Sequence, residues 1–443
     1  MTVRTARAPL TPSQAGRRYL VLTALRWLPV GISIPVTVLL ALSRGLSLAD
    51  VGLVFLVHSL LVAVLELPTG GLADVLGRRP VLVASGVLHL LSSLAYATAE
   101  DLAGFLGAAC LLAAGRALDS GPLEAWYVDA VHQADPGADV TSGLSRAGVA
   151  DCLALAAGAV VGGALPGLLG SAGADVLRAP YLVAAVLDLV SIGAVLLLVT
   201  PTGPVRERPA DAAAPQRLWR ALRDGSRAVP RTVRDAVALS VRDPSLRRVL
   251  LLSLACGYSL GTLELVGPAL FADLAGSTTG GSAVFGVVMA ASFVGGATGY
   301  ALAPLSRRLA QGSTRWAVTL LSVLSGLALL GVASARTVVL AATAYTCFYF
   351  ANAAAWPLLR ALGHGRVPAA QRATVVSAWS LALQAGGAAS NLLGPRLGGT
   401  GRAYALAGVL AGLAGLLALG LPRDLSGAPQ PGAPPEVAGA DPR

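Results

Sequence analysis

The sequence has 443 residues, of which 55% are hydrophobic and 13% charged, and it carries a formal net charge of +10. A soluble globule carries about 25% charged residues, so this chain has too little polar surface for water and its expected solvent is a bilayer. Aromatic residues make up only 5%, which argues against an aromatic-girdled β-barrel and for closely packed apolar helices.

Residues 1–17 lack the short apolar region and small-residue cleavage site of a signal peptide, and read as a cytoplasmic N-terminal segment anchored by Arg17 and Arg18. A helix needs about 20 apolar residues to cross the hydrocarbon core, and breaks at charge clusters give twelve such spans. The first half, 18–200, holds spans near 18–43, 51–70, 80–98, 102–130, 147–170 and 179–200. An Arg-rich linker follows at 201–247, with five acids among its arginines. The second half, 248–421, holds spans near 248–272, 283–304, 316–334, 337–361, 373–396 and 402–421, and a Pro-rich tail at 422–443 reads as disordered.

All 33 basic residues are arginines, and with the Ala and Gly content this suggests a GC-rich bacterial genome. With twelve spans both termini and the linker share one side, where 25 arginines fall. The other side has five: Arg44, Arg178, Arg336, Arg396 and Arg402. The positive-inside rule then makes the termini cytoplasmic and implies a multi-pass protein of the bacterial inner membrane. It also accounts for the net charge without nucleic acid.

The halves echo one another. Arg17-Arg18-Tyr-Leu-Val-Leu-Thr is answered by Arg247-Arg248-Val-Leu-Leu-Leu-Ser, each opening a first span. Gly70, Arg78 and Arg79 are answered at the same spacing by Gly299, Arg307 and Arg308, so in both halves a span is expected to end in Gly, before a short loop ending in Arg-Arg.

The stretch Gly70-Gly71-Leu72-Ala73-Asp74-Val75-Leu76-Gly77-Arg78-Arg79 resembles the loop signature of major facilitator transporters, Gly-x-Leu-Ala-Asp-Arg-x-Gly-Arg-Lys. Val75 departs from it, since a basic residue is usual there. The resemblance implies an all-α integral membrane protein of twelve transmembrane helices in two pseudo-symmetric six-helix bundles, with a site between them. It further implies that Gly70, Asp74, Gly77, Arg78 and Arg79 form a cytoplasmic gate, closed while the transporter faces outward. An Asp at a helix end can sit against a neighbouring helix N-terminus or an Arg in one state and release it in the other. Topological anchoring alone is the alternative role for Arg78 and Arg79.

A charge near mid-bilayer costs roughly 2.5–3.5 kcal/mol, so each needs a partner, a wet cavity or a function. Span 4 contains Arg116, Asp119 and Glu124, with Pro122 expected to loosen the helix between them. Arg116 and Asp119, three residues apart, can simply pair. The run from Arg116 to Gly121 also resembles the span 4 motif of proton-driven facilitators, which implies a part in proton movement. Asp129 reads as a solvated helix end. Glu264 in span 7, Glu124 and Asp188 in span 6 are further candidates for proton coupling, or else members of static ion pairs. In the family, spans 1, 4, 7 and 10 line the cavity, which implies that Arg26, Tyr345, Tyr349 and Asn352 face it too. Gly158, Gly162, Gly163, Pro166 and Gly167 in span 5 resemble an antiporter signature with the Gly-Pro pair displaced, and close helix packing explains the glycines as well.

Cys110, Cys152, Cys256 and Cys347 stand alone in apolar stretches and read as small core residues. The four histidines form no metal pattern, and the Gly-rich segments lack the Lys-Ser/Thr of a phosphate loop, so no cofactor, metal or enzymatic activity is expected. The expected function is secondary active transport by a monomer, with proton-coupled export of a small amphipathic compound as the first reading. Proton-linked transport of a metabolite such as a sugar or amino acid is the alternative, and a non-transporting sensor or scaffold the third.

Overall fold

The computed structural model describes residues 10–69, 72–119, 121–170, 174–200, 243–366 and 372–421, together with positions 223, 234 and 238 of the linker. Some side chains within these ranges, including those of Asp74 and of 372–377, lie outside the description. Gly70 and Gly71 of the gate motif, most of the linker and the tail from 422 also fall outside it.

The first half comprises α1 (Pro12–Ser33), α2 (Thr37–Ser43), α3 (Leu48–Thr69), α4 (Leu72–Leu76), α5 (Arg78–Thr98), α6 (Leu102–Asp119), α7 (Pro122–Ala134), α8 (Thr141–Leu168) and α9 (Ala179–Leu198). The second comprises α10 (Pro244–Ala275), α11 (Thr278–Leu309), α12 (Thr314–Ala333), α13 (Val338–Arg366), α14 (Arg372–Leu393) and α15 (Thr400–Leu417). Among the described residues, 11 helical spans are long and apolar enough to cross a membrane, with 12–43 and 102–134 each counted once. The 22-residue α14 fills the twelfth place, and at 1.5 Å per residue it reaches about 33 Å.

Three sequence boundaries shift. The first helix starts at Pro12, because Thr11 and Gln14 form a capping box there, and it breaks at 34–36 before α2. Span 4 is broken outright: Gly121 adopts φ 98°, a left-handed conformation that glycine adopts without cost, and Pro122 opens α7 behind it. The expected loop between Gly299 and Arg308 is absent, since α11 runs unbroken to Leu309 with both arginines in its last turn. In the first half the corresponding segment does interrupt the helix, at Gly77 with φ 89°.

The internal echo has a structural counterpart. Arg18 donates from Nη1 to the Leu198 carbonyl at the end of α9 (3.0 Å), and Arg248 donates to the Gly420 carbonyl past α15 (2.5 Å). In each half the first helix thus supplies an arginine to the carbonyls left open at the end of the last helix, where the dipole favours a cation.

The halves meet along two seams, α8 against α11 and α3 against α14, the fifth-and-eighth and second-and-eleventh spans, which a twofold axis exchanges. Hydrophobic packing shows where they meet. At the end remote from the chain termini one core cluster draws on both halves, including Val36, Phe105, Phe271 and Phe285. Toward the Arg-rich end each half has its own cluster, around Trp126 in the first and around Trp379 in the second. The seams are closed at the remote end by small residues. A Cβ on Gly163 would lie 3.0 Å from Gly286 Cα, and Ser282 Oγ donates to the Gly163 carbonyl at 3.0 Å. Lipid tails give no hydrophobic drive to helix association, so such backbone proximity supplies the attraction. Gly158 packs likewise on Gly31 of α1, and the span 5 glycines serve close packing within the continuous helix α8.

Candidate functional site

Between the halves lies a cavity of about 440 Å³. Its walls come from α1, α3, α5, α6, α8 and α9 on one side and from α10, α11, α13 and α14 on the other. Local breaks place the charges. Because α6 stops at Asp119, that carboxylate sits at a helix C-terminus where the dipole opposes it, and Arg26 of α1 supplies the compensating ion pair. Asp119 is 6% exposed and Arg26 26%. The Arg116–Asp119 pairing allowed by sequence spacing is therefore replaced by a pairing across helices.

Arg116 points instead toward Trp27. Its guanidinium carbon lies 4.9 Å from the indole centroid, the same distance as that of Arg26 on the same ring. The indole thus meets two cations, a favourable electrostatic arrangement for an aromatic ring. Two histidines join Arg116 at the cavity wall, His58 from α3 and His89 from α5. Gly115 lets His89 come close, since a Cβ there would lie 2.9 Å from its Nε2. Both Nε2 atoms are shielded and have no hydrogen-bond partner among the described residues. Sequence reading had set these histidines aside for lack of metal spacing; the general rule that an ionisable group inside a span signals function would have flagged them.

Asp188 reaches the cavity from α9 and accepts a hydrogen bond from Ser93 Oγ at 2.8 Å, so its helix is not peripheral to the site. Nearby, Thr37 and Tyr181 share a 2.7 Å hydrogen bond, and Tyr181 stacks on Tyr96 at 5.1 Å. The second half contributes a different chemistry. Glu264 of α10 opens onto the cavity, with Arg116 as its electrostatic partner across the gap. Around it stand Leu260, Phe285, Met289, Phe293 and Tyr349.

Three expected site residues lie elsewhere. Tyr345 is fully buried behind the wall, donating its hydroxyl to the Leu263 carbonyl at 2.8 Å and stacking on Tyr349 at 5.8 Å, because its turn of α13 faces α10. Asn352, a further turn along, accepts from Cys256 Sγ at 3.2 Å and lines a separate void of about 30 Å³ inside the second half. Glu124 follows the break at Gly121 and is exposed, outside the cavity lining.

The gate residues are divided. Arg78 bridges α5 to α7 through a 2.6 Å ion pair with Asp129 and a hydrogen bond to the Ala125 carbonyl, while Arg79 donates to the Leu196 carbonyl of α9. Asp129 is thus a paired residue and not merely a solvated helix end. Both arginines bind within their own half, and Gly77 supplies the turn before α5. The helices α4 and α7 beside them pack against first-half elements.

A family model described as Major Facilitator Superfamily matches residues 19–391. The chain belongs to the major facilitator superfamily. Solved structures of similar fold include the nucleoside transporter NupG, at 13% identity and a TM-score of 0.68, with 92% of this chain and 98% of that one covered. A bacterial homologue of the human drug peptide transporters PepT1 and PepT2 aligns with a TM-score of 0.68 at 11% identity, covering 93% and 98% of the two chains. The human organic anion transporter MFSD10 (TETRAN) aligns with a TM-score of 0.59 at 19% identity, over 92% and 99%. At these identities the likeness is one of fold. No curated protein matches the sequence.

Proposed function

We propose that this major facilitator protein is a secondary active transporter that moves a small organic solute through the central cavity by alternating access, coupled to proton movement. The observation that carries the reading is the pairing of a closed remote seam with a cavity holding Arg116 from one half and Glu264 from the other. A solute held there contacts both halves, and rocking them about the site exposes it to the opposite side. Arg-rich loops support a cytoplasmic location for the termini, in the inner membrane of a bacterium, so this conformation faces inward. Each chain carries a whole cavity, which supports action as a monomer.

Glu264 and Asp188 are the coupling carboxylates in this reading. Each lies in the wall of a low-dielectric cavity, where an acid gains or loses a proton as charges around it arrive and leave. Asp119, tied to Arg26, holds the first half in shape. In the outward-facing state, Gly70, Asp74, Gly77, Arg78 and Arg79 close the cytoplasmic end. Similar structures of nucleoside, peptide and organic anion transporters favour a polar metabolite over a lipophilic drug.

The test is solute-dependent proton flux in proteoliposomes loaded with a pH-sensitive dye, for wild type and Glu264→Gln, with nucleosides, dipeptides, organic acids and lipophilic drugs. Flux with a member of the panel, abolished in the variant, supports coupling through Glu264. Solute uptake that proceeds without proton flux refutes the coupling. A protein inert to the whole panel refutes the transport reading.

A further inference from the structure

The charges of the cavity are not interchangeable, and this bears on what fits it. The first-half cation Arg26 is already neutralised by Asp119. Asp188 is held by Ser93. Arg116 has no carboxylate within ion-pair distance among the described residues; its close neighbour is the Trp27 indole. Beside it stand the imidazoles of His58 and His89, which form part of the same wall. A cation in a cavity wall without an ion-pair partner is costly, so Arg116 is arranged for something that accepts. The facing wall is aromatic and apolar, and the nearest ring pair there, Phe293 and Tyr349, meets edge to face at 6.2 Å.

On the reading that this cavity carries the transported solute, we propose that the solute is an organic anion, its carboxylate head held by Arg116 beside His58 and His89 and its flat apolar body lying against Phe285, Phe293 and Tyr349. The guanidinium offers a planar fork that matches a carboxylate, and the two imidazoles give the wall around it a polar lining. Charge-assisted hydrogen bonds of this kind are about twice as strong as neutral ones, which makes the head the selective end. Glu264 shares the field of Arg116 across the cavity. A second negative charge placed there needs compensation in a cavity between apolar helices, and a proton on Glu264 supplies it. The cavity of about 440 Å³ accommodates a single-ring acid with room for water.

Binding separates this proposal from transport itself. Three compounds of one shape serve as probes on the detergent-purified full chain by calorimetry: 3-phenylpropionate, its neutral amide and 3-phenylpropylamine. The expected result is binding of the anion at least about tenfold tighter than the amide, with the amine weakest. In Arg116→Gln that ratio falls toward one while amide binding persists, whereas Arg116→Lys keeps part of it. His58→Gln and His89→Gln each lower the ratio by a smaller factor. The ratio, unlike absolute affinity, is not moved by a variant that simply folds poorly. Equal binding of anion and amide, preference for the amine, an unchanged ratio in Arg116→Gln, or no binding of any probe overturns the proposal. Anion-selective binding without flux in proteoliposomes leaves the proposal standing and counts against transport.

Discussion

Adding one methyl group at Gly163 should shift the conformational balance of the whole protein. This residue of α8 meets α11 where the halves close, and an added Cβ would lie 3.0 Å from Gly286 Cα and closer still to the Ser282 carbonyl. Backbone cannot yield as a side chain does, so Gly163→Ala forces the seam apart and weakens the hydrogen bond from Ser282 Oγ. Overpacking of this kind costs about 1–3 kcal/mol, and the cost falls on the remote-closed state alone. The ratio of remote-open to remote-closed protein should therefore rise roughly 5- to 150-fold. Paired spin labels read this directly. A pair at Leu168 and Thr278, beside the seam, should move to longer distances, while a pair at Ser142 and Leu309, toward the Arg-rich end, should shorten. The control is Gly167→Ala, one turn on, where an added Cβ meets nothing within 4 Å and the distributions should stay as in wild type. Unchanged distances in Gly163→Ala, or an equal shift in Gly167→Ala, would refute the assignment of this seam as the closure.

Three further outcomes follow from the same structure. Arg26→Gln leaves the Asp119 carboxylate buried without its cation and should destabilise by about 2 kcal/mol, less than the ~3–5 of a fully enclosed pair because Arg26 is 26% exposed. Adding Asp119→Asn should restore part of the thermal unfolding temperature, and failure to restore it would mean that the pair is not the source. Tyr345→Phe removes the hydrogen bond to Leu263 and should cost about 1 kcal/mol of stability with little effect on solute affinity, whereas Tyr349→Ala should weaken affinity; calorimetry with a transported solute distinguishes them. Gly121→Ala demands φ 98° of a residue with a Cβ and should cost at least about 1 kcal/mol, seen as a lower unfolding temperature in detergent.

The spans were legible because hydrophobic length is a property of local sequence, and the sidedness of Arg is read from the loops alone. The Arg18 and Arg248 staples were legible as an echo, though their carbonyl partners, 180 and 172 residues away, were not. What spacing could not supply was the direction of each side chain around its helix. Arg116 and Asp119 share a helical face by their three-residue separation, yet α6 ends at Asp119, which frees that carboxylate to meet Arg26. Tyr345, Tyr349 and Asn352 lie on nearly one stripe of α13, yet Tyr345 and Asn352 are held against α10 by Leu263 and Cys256, and only Tyr349 of the three lines the cavity. The missing loop near Arg307 has the same origin: the first half turns at Gly77, whereas Pro304 sits within a helix that its neighbours keep continuous.

The two halves keep the same frame and divide the chemistry. Their shared features are scaffolding: the arginine staples and the paired seams. The features that face the cavity differ, with two cations, two imidazoles and Asp188 on one wall and Glu264 among apolar and aromatic side chains on the other. That division matters for alternating access. Among the described residues one side-chain hydrogen bond, from Ser282 to Gly163, crosses between the halves, and the rest of the contact is apolar packing and small residues against backbone. A seam built this way is worth little in polar energy, so the halves can part without stripping strong bonds from a low-dielectric interior. Under the proposed mechanism the free energy that decides which end opens comes from the cavity, where one solute would engage both walls at once. Strong polar locks along the seam would have to be broken for the halves to part; under the proposed mechanism a solute that engages both walls need only tip a balance between two apolar contacts.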